Sequence, residues 1–358
     1  MIVELYSLAQ TDFVLSSSLS EVYFKTDQEA VEVVVSCSSG DIYRETLYPY
    51  EGHVTIYNLR ELVEGAYRNT GISFDQINIA PAGMSAINVG VLYCECSFAA
   101  DLGYRAVQEM FLTTLSSRRV PPHFTILLSW MAMPDEEQKI QVAYDVRTSE
   151  STTVTHKTFA IRRSGVTTAQ LQSLEITEKR LLEQAYGSSM PSEAQVISAI
   201  ITLGGRCASF YVSEELRHAE RFLFRNCFGV KEWACLPAKN THHVDADLSQ
   251  ANLGTYVTLY DRTVKETEEV ETGPLTAGES RWIRELLTSY EVWYPVKASV
   301  NEAENLLPVL ITDFTCEVST DHDPNTVKFT WRYTNNTPLL VPNVSSGIFT
   351  SEFNPVYS

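Results

Sequence analysis

Basic side chains are scarce in this chain. Its 358 residues carry 27 Lys and Arg against 45 Asp and Glu, a formal net charge of −18. So acidic a surface repels phosphate backbones and anionic membranes. That excludes sequence-specific binding of DNA or RNA and argues against a membrane partner. Two readings of the charge stay open: it keeps the protein soluble, or it forms an acidic wall past which DNA slides without sticking.

Long apolar runs are also missing. The start, Met1-Ile2-Val3-Glu4-Leu5-Tyr6, lacks the basic n-region and apolar core of a signal peptide. No stretch approaches the length of a membrane-spanning helix. Synthesis and folding in the cytoplasm are therefore expected. The seven cysteines (Cys37, Cys94, Cys96, Cys207, Cys227, Cys235 and Cys316) are odd in number and irregular in spacing, so they form no disulfide framework. Most lie in apolar or strand-like runs, where a free thiol behaves as a small hydrophobe.

The motifs of chemistry are absent as well. There is no phosphate-cradling glycine loop, dinucleotide fingerprint, zinc-protease histidine pair or nucleophile elbow. Only seven histidines occur. The densest group is His242-His243-Val244-Asp245-Ala246-Asp247, in which His243, Asp245 and Asp247 would share one face of a strand and could bind a metal. A solvated loop or exposed strand is the preferred reading. Asp321-His322-Asp323 has the composition of a turn. Glu266, Glu268, Glu269 and Glu271 could be acid/base carboxylates only if a pair faced each other across a cleft; so dense a run reads as a solvated edge. Trp282 and Trp293 read as core rather than as a sugar-stacking platform. No catalytic residue, cofactor site or metal site is assigned, and the chain is not expected to be an enzyme.

What the sequence does hold is β structure. Eighteen Tyr and fifteen Phe, with abundant Val and Thr, suit pleated, half-buried surfaces. Strands are predicted at Glu21–Lys25, Ala30–Ser36, Asp41–Tyr50, His53–Tyr57 and Ile87–Ala99. In the last, Val89, Val91, Tyr93 and Glu95 share one face and Leu92, Cys94 and Cys96 the other. Asp101–Leu115 reads as an amphipathic helix or linker, ended by Pro121-Pro122. Strands follow at Phe124–Trp130, Lys139–Val146, Thr153–Ile161, Val196–Leu203 and Ala208–Val212, with a charged helix at Glu178–Tyr186. Further strands are predicted at Phe222–Phe228, Val230–Leu236, Asn252–Asp261, Glu291–Val296, Val309–Val318 and Val327–Tyr333. The acidic Thr263–Glu271 run reads as exposed or as an edge.

One pattern recurs: strands lead into a short capped helix, and a strong strand follows. The first helix begins at Asn58, whose side chain can cap it, with Glu61 placed to reciprocate. The last begins with the capping box Thr276-Ala277-Gly278-Glu279. A weaker middle copy is Thr167–Leu174. The run Val89–Phe98 also resembles Ile200–Phe210. The fold class that follows is mainly β, with β-sandwich or split-barrel modules each carrying a short flanking helix. The modules are 1–116 with a helix at 58–69, 117–215, and 216–345 with a helix at 276–289, then an extended tail at 346–358.

The third module carries a family likeness. Arg221-Phe222-Leu223-Phe224-Arg225-Asn226-Cys227-Phe228-Gly229-Val230, Glu271–Thr276, Trp282–Val292, Leu310-Ile311-Thr312-Asp313 and Lys328-Phe329-Thr330-Trp331-Arg332-Tyr333 stand in that order. This arrangement resembles tail proteins encoded by phages and prophages of Bacteroides-type gut bacteria. The resemblance implies a structural component of the tail tip, baseplate or distal-tail ring, assembled in the host cytoplasm and carried in the virion tail. It implies a homo-oligomeric ring, such as a hexamer, with other tail proteins as partners. It transfers no catalytic residues. The competing class is a carbohydrate-binding or adhesin-like β-sandwich protein, which needs export and an exposed aromatic platform. A tail-associated hydrolase is disfavoured by the missing catalytic set.

Overall fold

Valine alternating with other residues along Val31–Cys37 makes the first long strand, with Val31, Val33 and Val35 turned inward. It belongs to a structure that is mainly β, as the sequence predicts: strands hold 57% of it and helices 16%. The computed structural model describes residues 13–19, 21–83, 85–95, 107–148, 153–191, 193–253, 256–296, 305–316 and 325–335. Contacts divide the chain into two units. One comprises Met1–His218, Arg225–Trp233 and Thr288–Tyr290; the other comprises Ala219–Phe224, Ala234–Leu287 and Glu291–Ser358.

The first unit opens with β1 (Val14–Leu15), β2 (Val22–Lys25), β3 (Val31–Cys37), β4 (Gly40–Leu47), β5 (His53–Ile56), α1 (Leu59–Thr70), β6 (Phe74–Pro81) and β7 (Ile87–Leu92). Five of these strands make a sheet in the order β1-β7-β6-β3-β4, and β2 pairs with β5. β1 runs parallel to β7, with Val14 beside Val91. Leu59, Val63 and Tyr67 recur every fourth residue along α1, so they share one face and are buried among Val33, Val35, Ile77 and Val91. Gly71 ends the helix at φ +70°. The expected cap at Asn58 does not form. Asn58 sits in the left-handed region and its side chain makes no cap hydrogen bond, whereas a capping side chain needs an extended backbone. Its carbonyl instead accepts from the Leu62 N–H at 3.1 Å.

The unit continues with β8 (Ser117–Val120), β9 (Thr125–Ala132), β10 (Lys139–Arg147), β11 (Val154–Arg162), β12 (Gln170–Thr177), α2 (Glu178–Tyr186), β13 (Gln195–Leu203) and β14 (Arg206–Val212). The order β8-β14-β13-β10-β11, with β9 paired to β12, repeats the first topology strand for strand. β8 is again parallel to the last strand, and α2 again follows the second member of the two-stranded pair. The Thr177 hydroxyl caps α2 by accepting from the Arg180 N–H at 3.2 Å.

The repeat therefore joins the first and second modules, not the first and third. The expected middle helix at Thr167–Leu174 is contradicted. From Gln170 onward this segment is β12, because Leu174 and Ile176 point inward with period two and pair across to Leu128 and Ile126. The likeness of Val89–Phe98 to Ile200–Phe210 also fails. The first is β7 running into irregular chain, with residues 96–98 outside those described; the second is the β13–β14 hairpin, which turns at Gly204 with φ +56°. Of the amphipathic helix or linker expected over Asp101–Leu115, 101–106 lie outside the described residues. Only Val107 and Gln108 are helical beyond them, and Phe111 and Leu112 are buried in irregular chain.

The two faces foreseen for β7 are found. Val89, Val91 and Tyr93 enter the cluster under α1. Leu92 and Cys94 join a second cluster with Phe13, Leu112, Met131, Phe228 and Val230; Cys96 is outside the described residues. A charged group is buried in this unit. Arg118 and Glu232 form an ion pair with side chains 4% and 3% exposed. Glu232 also accepts from Thr113 Oγ1 and Asn226 Nδ2, each at 2.8 Å.

The second unit is built on one seven-stranded sheet, of which Arg225 and Lys231–Trp233 are grouped with the first unit. In chain order its strands are β15 (Glu220–Arg225), β16 (Lys231–Leu236), β17 (Ala238–Leu253), β18 (Tyr256–Thr272), β19 (Val292–Val296), β20 (Asn305–Cys316) and β21 (Val327–Tyr333), with α3 (Ala277–Thr288) after β18. The spatial order is β16-β15-β19-β20-β21-β18-β17. Trp282, Ile283, Leu286 and Leu287 of α3 are buried, and Trp282 meets Phe224 edge-on at 5.8 Å. The capping box is present: Glu279 N–H donates to Thr276 Oγ1 at 3.2 Å, and Thr276 N–H donates to Glu279 Oε2 at 2.9 Å. Thr276→Ala is expected to cost about 1 kcal/mol, read as a shift of the urea midpoint at unchanged slope. The acidic run Thr263–Glu271 is a partly exposed edge only over Thr263–Thr267, among the described residues. It belongs to β18, flanked on one side by the terminal strand β17 and, from Glu268 to Glu271, by β21 on the other.

Candidate assembly surfaces

The β17–β18 hairpin carries most of the polar residues singled out from the sequence. His243, Asp245 and Asp247 do share one face of β17, opposite Thr267, Lys265 and Thr263. Alternate residues on one strand lie about 7 Å apart, and among the described residues no group of three or more His, Cys, Asp or Glu could hold a metal ion. The four glutamates divide between the two faces. Glu266 and Glu268 lie on the side of buried Val270; Glu269 and Glu271 lie on the other. Glu268 hydrogen-bonds His242 Nδ1 at 2.6 Å, and Glu269 pairs with Lys328 at 2.8 Å. The Lys328 ammonium holds the Glu269 carboxyl below its ordinary range. No facing carboxylate pair results. Trp282 is core, as read, and Trp293 is half-buried in β19. Asp321-His322-Asp323 lies outside the described residues.

A carboxylate not singled out from sequence sits in the second unit's aromatic core. Glu220 accepts from the Tyr294 hydroxyl at 3.0 Å, and Tyr294 stacks on Trp331 at 4.7 Å. Burial raises the Glu220 pKa above its ordinary value; hydrogen bonds from Tyr294 and Asn240 oppose this, and the charge of Glu268 adds to it. The unfolded chain then binds fewer protons than the folded one above the ordinary Glu pKa. Stability therefore falls as pH rises from there through the raised value. Glu220→Gln should flatten that part of the profile, measured as urea midpoints of both proteins at pH 4.5 to 7.

Among the described residues the five-stranded sheets of the first unit end in β1 and β4 and in β8 and β11, and the seven-stranded sheet ends in β16 and β17. β4 and β11 occupy equivalent positions in the repeated topology, and both are largely exposed. They differ in charge. β4 carries Asp41, Arg44 and Glu45; β11 carries His156, Lys157 and Arg162. Tyr48, Tyr50 and Tyr57, flanking β5, are 77%, 79% and 63% exposed.

No protein-family model matches the chain, and no curated protein is significantly similar to it. Among solved structures, the calcium binding domain CBD12 of CALX1.1 aligns with 54% of this chain and 75% of its own, at 8% identity and a TM-score of 0.14. A likeness that weak carries no argument about this chain.

Proposed function

We propose that this protein is a structural component of a phage tail that works by assembling with copies of itself. The observation that carries the reading is the pair of equivalent terminal strands, β4 and β11, each left unpaired on one edge among the described residues. An open strand edge is a template for another chain. β4 has one net acidic charge and β11 two net basic ones with His neutral, counted from Asp41, Arg44, Glu45, Lys157 and Arg162. Head-to-tail pairing of β4 with a neighbour's β11 thus brings opposite charges together, whereas β4 on β4 does not. A head-to-tail contact closes into a ring when the rotation permits. The net charge of −18 suits a ring whose lumen passes DNA. The tail assignment itself comes from the likeness of the third module.

Exposed Tyr48, Tyr50 and Tyr57 favour a second reading, a carbohydrate-binding or adhesin-like protein, because aromatic faces stack on sugars. Sedimentation velocity over a wide concentration range, run beside a glycan array, separates the two. Assembly that weakens in high salt and no glycan retention supports the tail reading. A concentration-independent monomer retained on glycans, and released by Tyr50→Ala, sinks it.

A further inference from the structure

Pairing in the second unit leaves a long part of one hairpin without sheet around it. Among the described residues β21 pairs with β18 from Glu268 to Glu271, while Tyr256–Thr267 of β18 pair with β17 alone and β17 is terminal. The register sorts this arm into two unlike faces. On the face that carries Val270, Val244 stands opposite Glu266 and Ala246 opposite Val264, and Leu248 comes next along β17. Past the bulge at Ser249/Gln250, Leu259 opposite Gln250 returns to the same face, and Val257 follows it two residues away. Val244, Leu248, Val257 and Leu259 are 55%, 44%, 59% and 54% exposed. Before the bulge the opposite face holds Thr241, His243, Asp245, Asp247, Thr263, Lys265 and Thr267; past it Tyr256 lies on that side. Apolar and polar residues alternate as in a strand that buries one face. Yet the apolar face here is bare, and a two-stranded hairpin is marginal by itself in water.

We propose that the β17–β18 hairpin is an exchange arm whose apolar face is covered by a second copy of this chain. Area selects that occupant. The arm beyond Glu268 offers roughly ten residue pairs, about 34 Å by 10 Å, or some 340 Å² on one face. A stable interface takes about 800 Å² from each partner, so a single unrelated protein seated on this face falls well short. In a closed homo-oligomer each chain gives one arm and receives another, which about doubles the area per chain. The outer edge of β17, also open, adds backbone pairing to the same contact. The arm names the partner surface of the assembly proposed above and rests on that reading.

Two full-length variants test it. In one, Val244–Glu266 are replaced by an Asn-Gly turn joining His243 to Thr267, which face each other in the register. In the other the arm is intact but carries Leu248→Lys with Leu259→Lys. Mass is followed by sedimentation velocity, and folding by circular dichroism melts. The expected result is native-like melting with assembly shifted at least tenfold to higher concentration in both. Wild-type assembly that survives unchanged in both variants overturns the arm and leaves the assembly reading standing. A wild-type chain that is monomeric at every concentration contradicts the assembly reading and the arm with it. A chain ended after Asn335 identifies the other occupant: if only that truncation makes the face bind an apolar dye, residues 336–358 cover it and the exchange arm is overturned.

Discussion

Glu232→Ala should unfold the first unit at markedly lower denaturant, a loss of about 3–5 kcal/mol. The Glu232 carboxylate is buried and meets the Arg118 guanidinium, the Thr113 hydroxyl and the Asn226 amide. Removing it leaves a guanidinium in the interior, over the Phe210 ring at 5.3 Å, without its carboxylate. The cost is desolvation that attraction no longer offsets, so it exceeds the worth of the pair itself. Replacing both partners by apolar residues, Arg118→Met with Glu232→Leu, should therefore recover most of the loss. The check is urea unfolding of all three proteins, followed by a first-unit probe such as Trp130 fluorescence. A single variant within 1 kcal/mol of wild type would refute this account of the core.

Trp331→Ala should cost the second unit a similar amount, about 3–5 kcal/mol. Trp331 is 1% exposed on a central strand, opposite Glu268 on one side and Ile311 on the other. Its ring meets Phe222 edge-on at 5.8 Å and Tyr333 at 5.3 Å, besides stacking on Tyr294. Alanine leaves a void that three aromatic rings cannot close without leaving their rotamers. Trp331→Phe keeps much of the volume and should cost clearly less. Hydrogen exchange of the β20 and β21 amides reads the effect in the unit concerned. Protection unchanged by the alanine variant would contradict the packing described.

Short-range signals made much of this fold legible. Lys139–Val146 and Thr153–Ile161 read as a pair because turn residues separate two period-two runs, and β10 and β11 pair residue for residue from Lys139↔Arg162 to Arg147↔Val154. Thr276 and Glu279 read as a capping box because that signal spans only one helical turn. What failed depended on distant partners or on backbone conformation. Thr167–Leu174 suits a helix until β9 offers Leu128 and Ile126 to pair with. Asn58 suits a cap until its backbone is found in the left-handed region. The duplicated topology rests on pairings such as Val14 with Val91 and Ser117 with Ser209, which no local pattern encodes.

The arm was read in pieces, as a polar segment at His242–Asp247, a strand at Asn252–Asp261 and an acidic edge at Thr263–Glu271. Charged residues on its polar face masked the alternation of Val244, Ala246 and Leu248 with Asp245 and Asp247. Gly254-Thr255 between two alternating runs was the signal that could have joined them.

Negative-stain microscopy of concentrated, purified protein tests the assembly most directly. The account predicts closed rings or stacked discs, with a mass that is a small integer multiple of one chain. A field of single-chain particles at every concentration would contradict it.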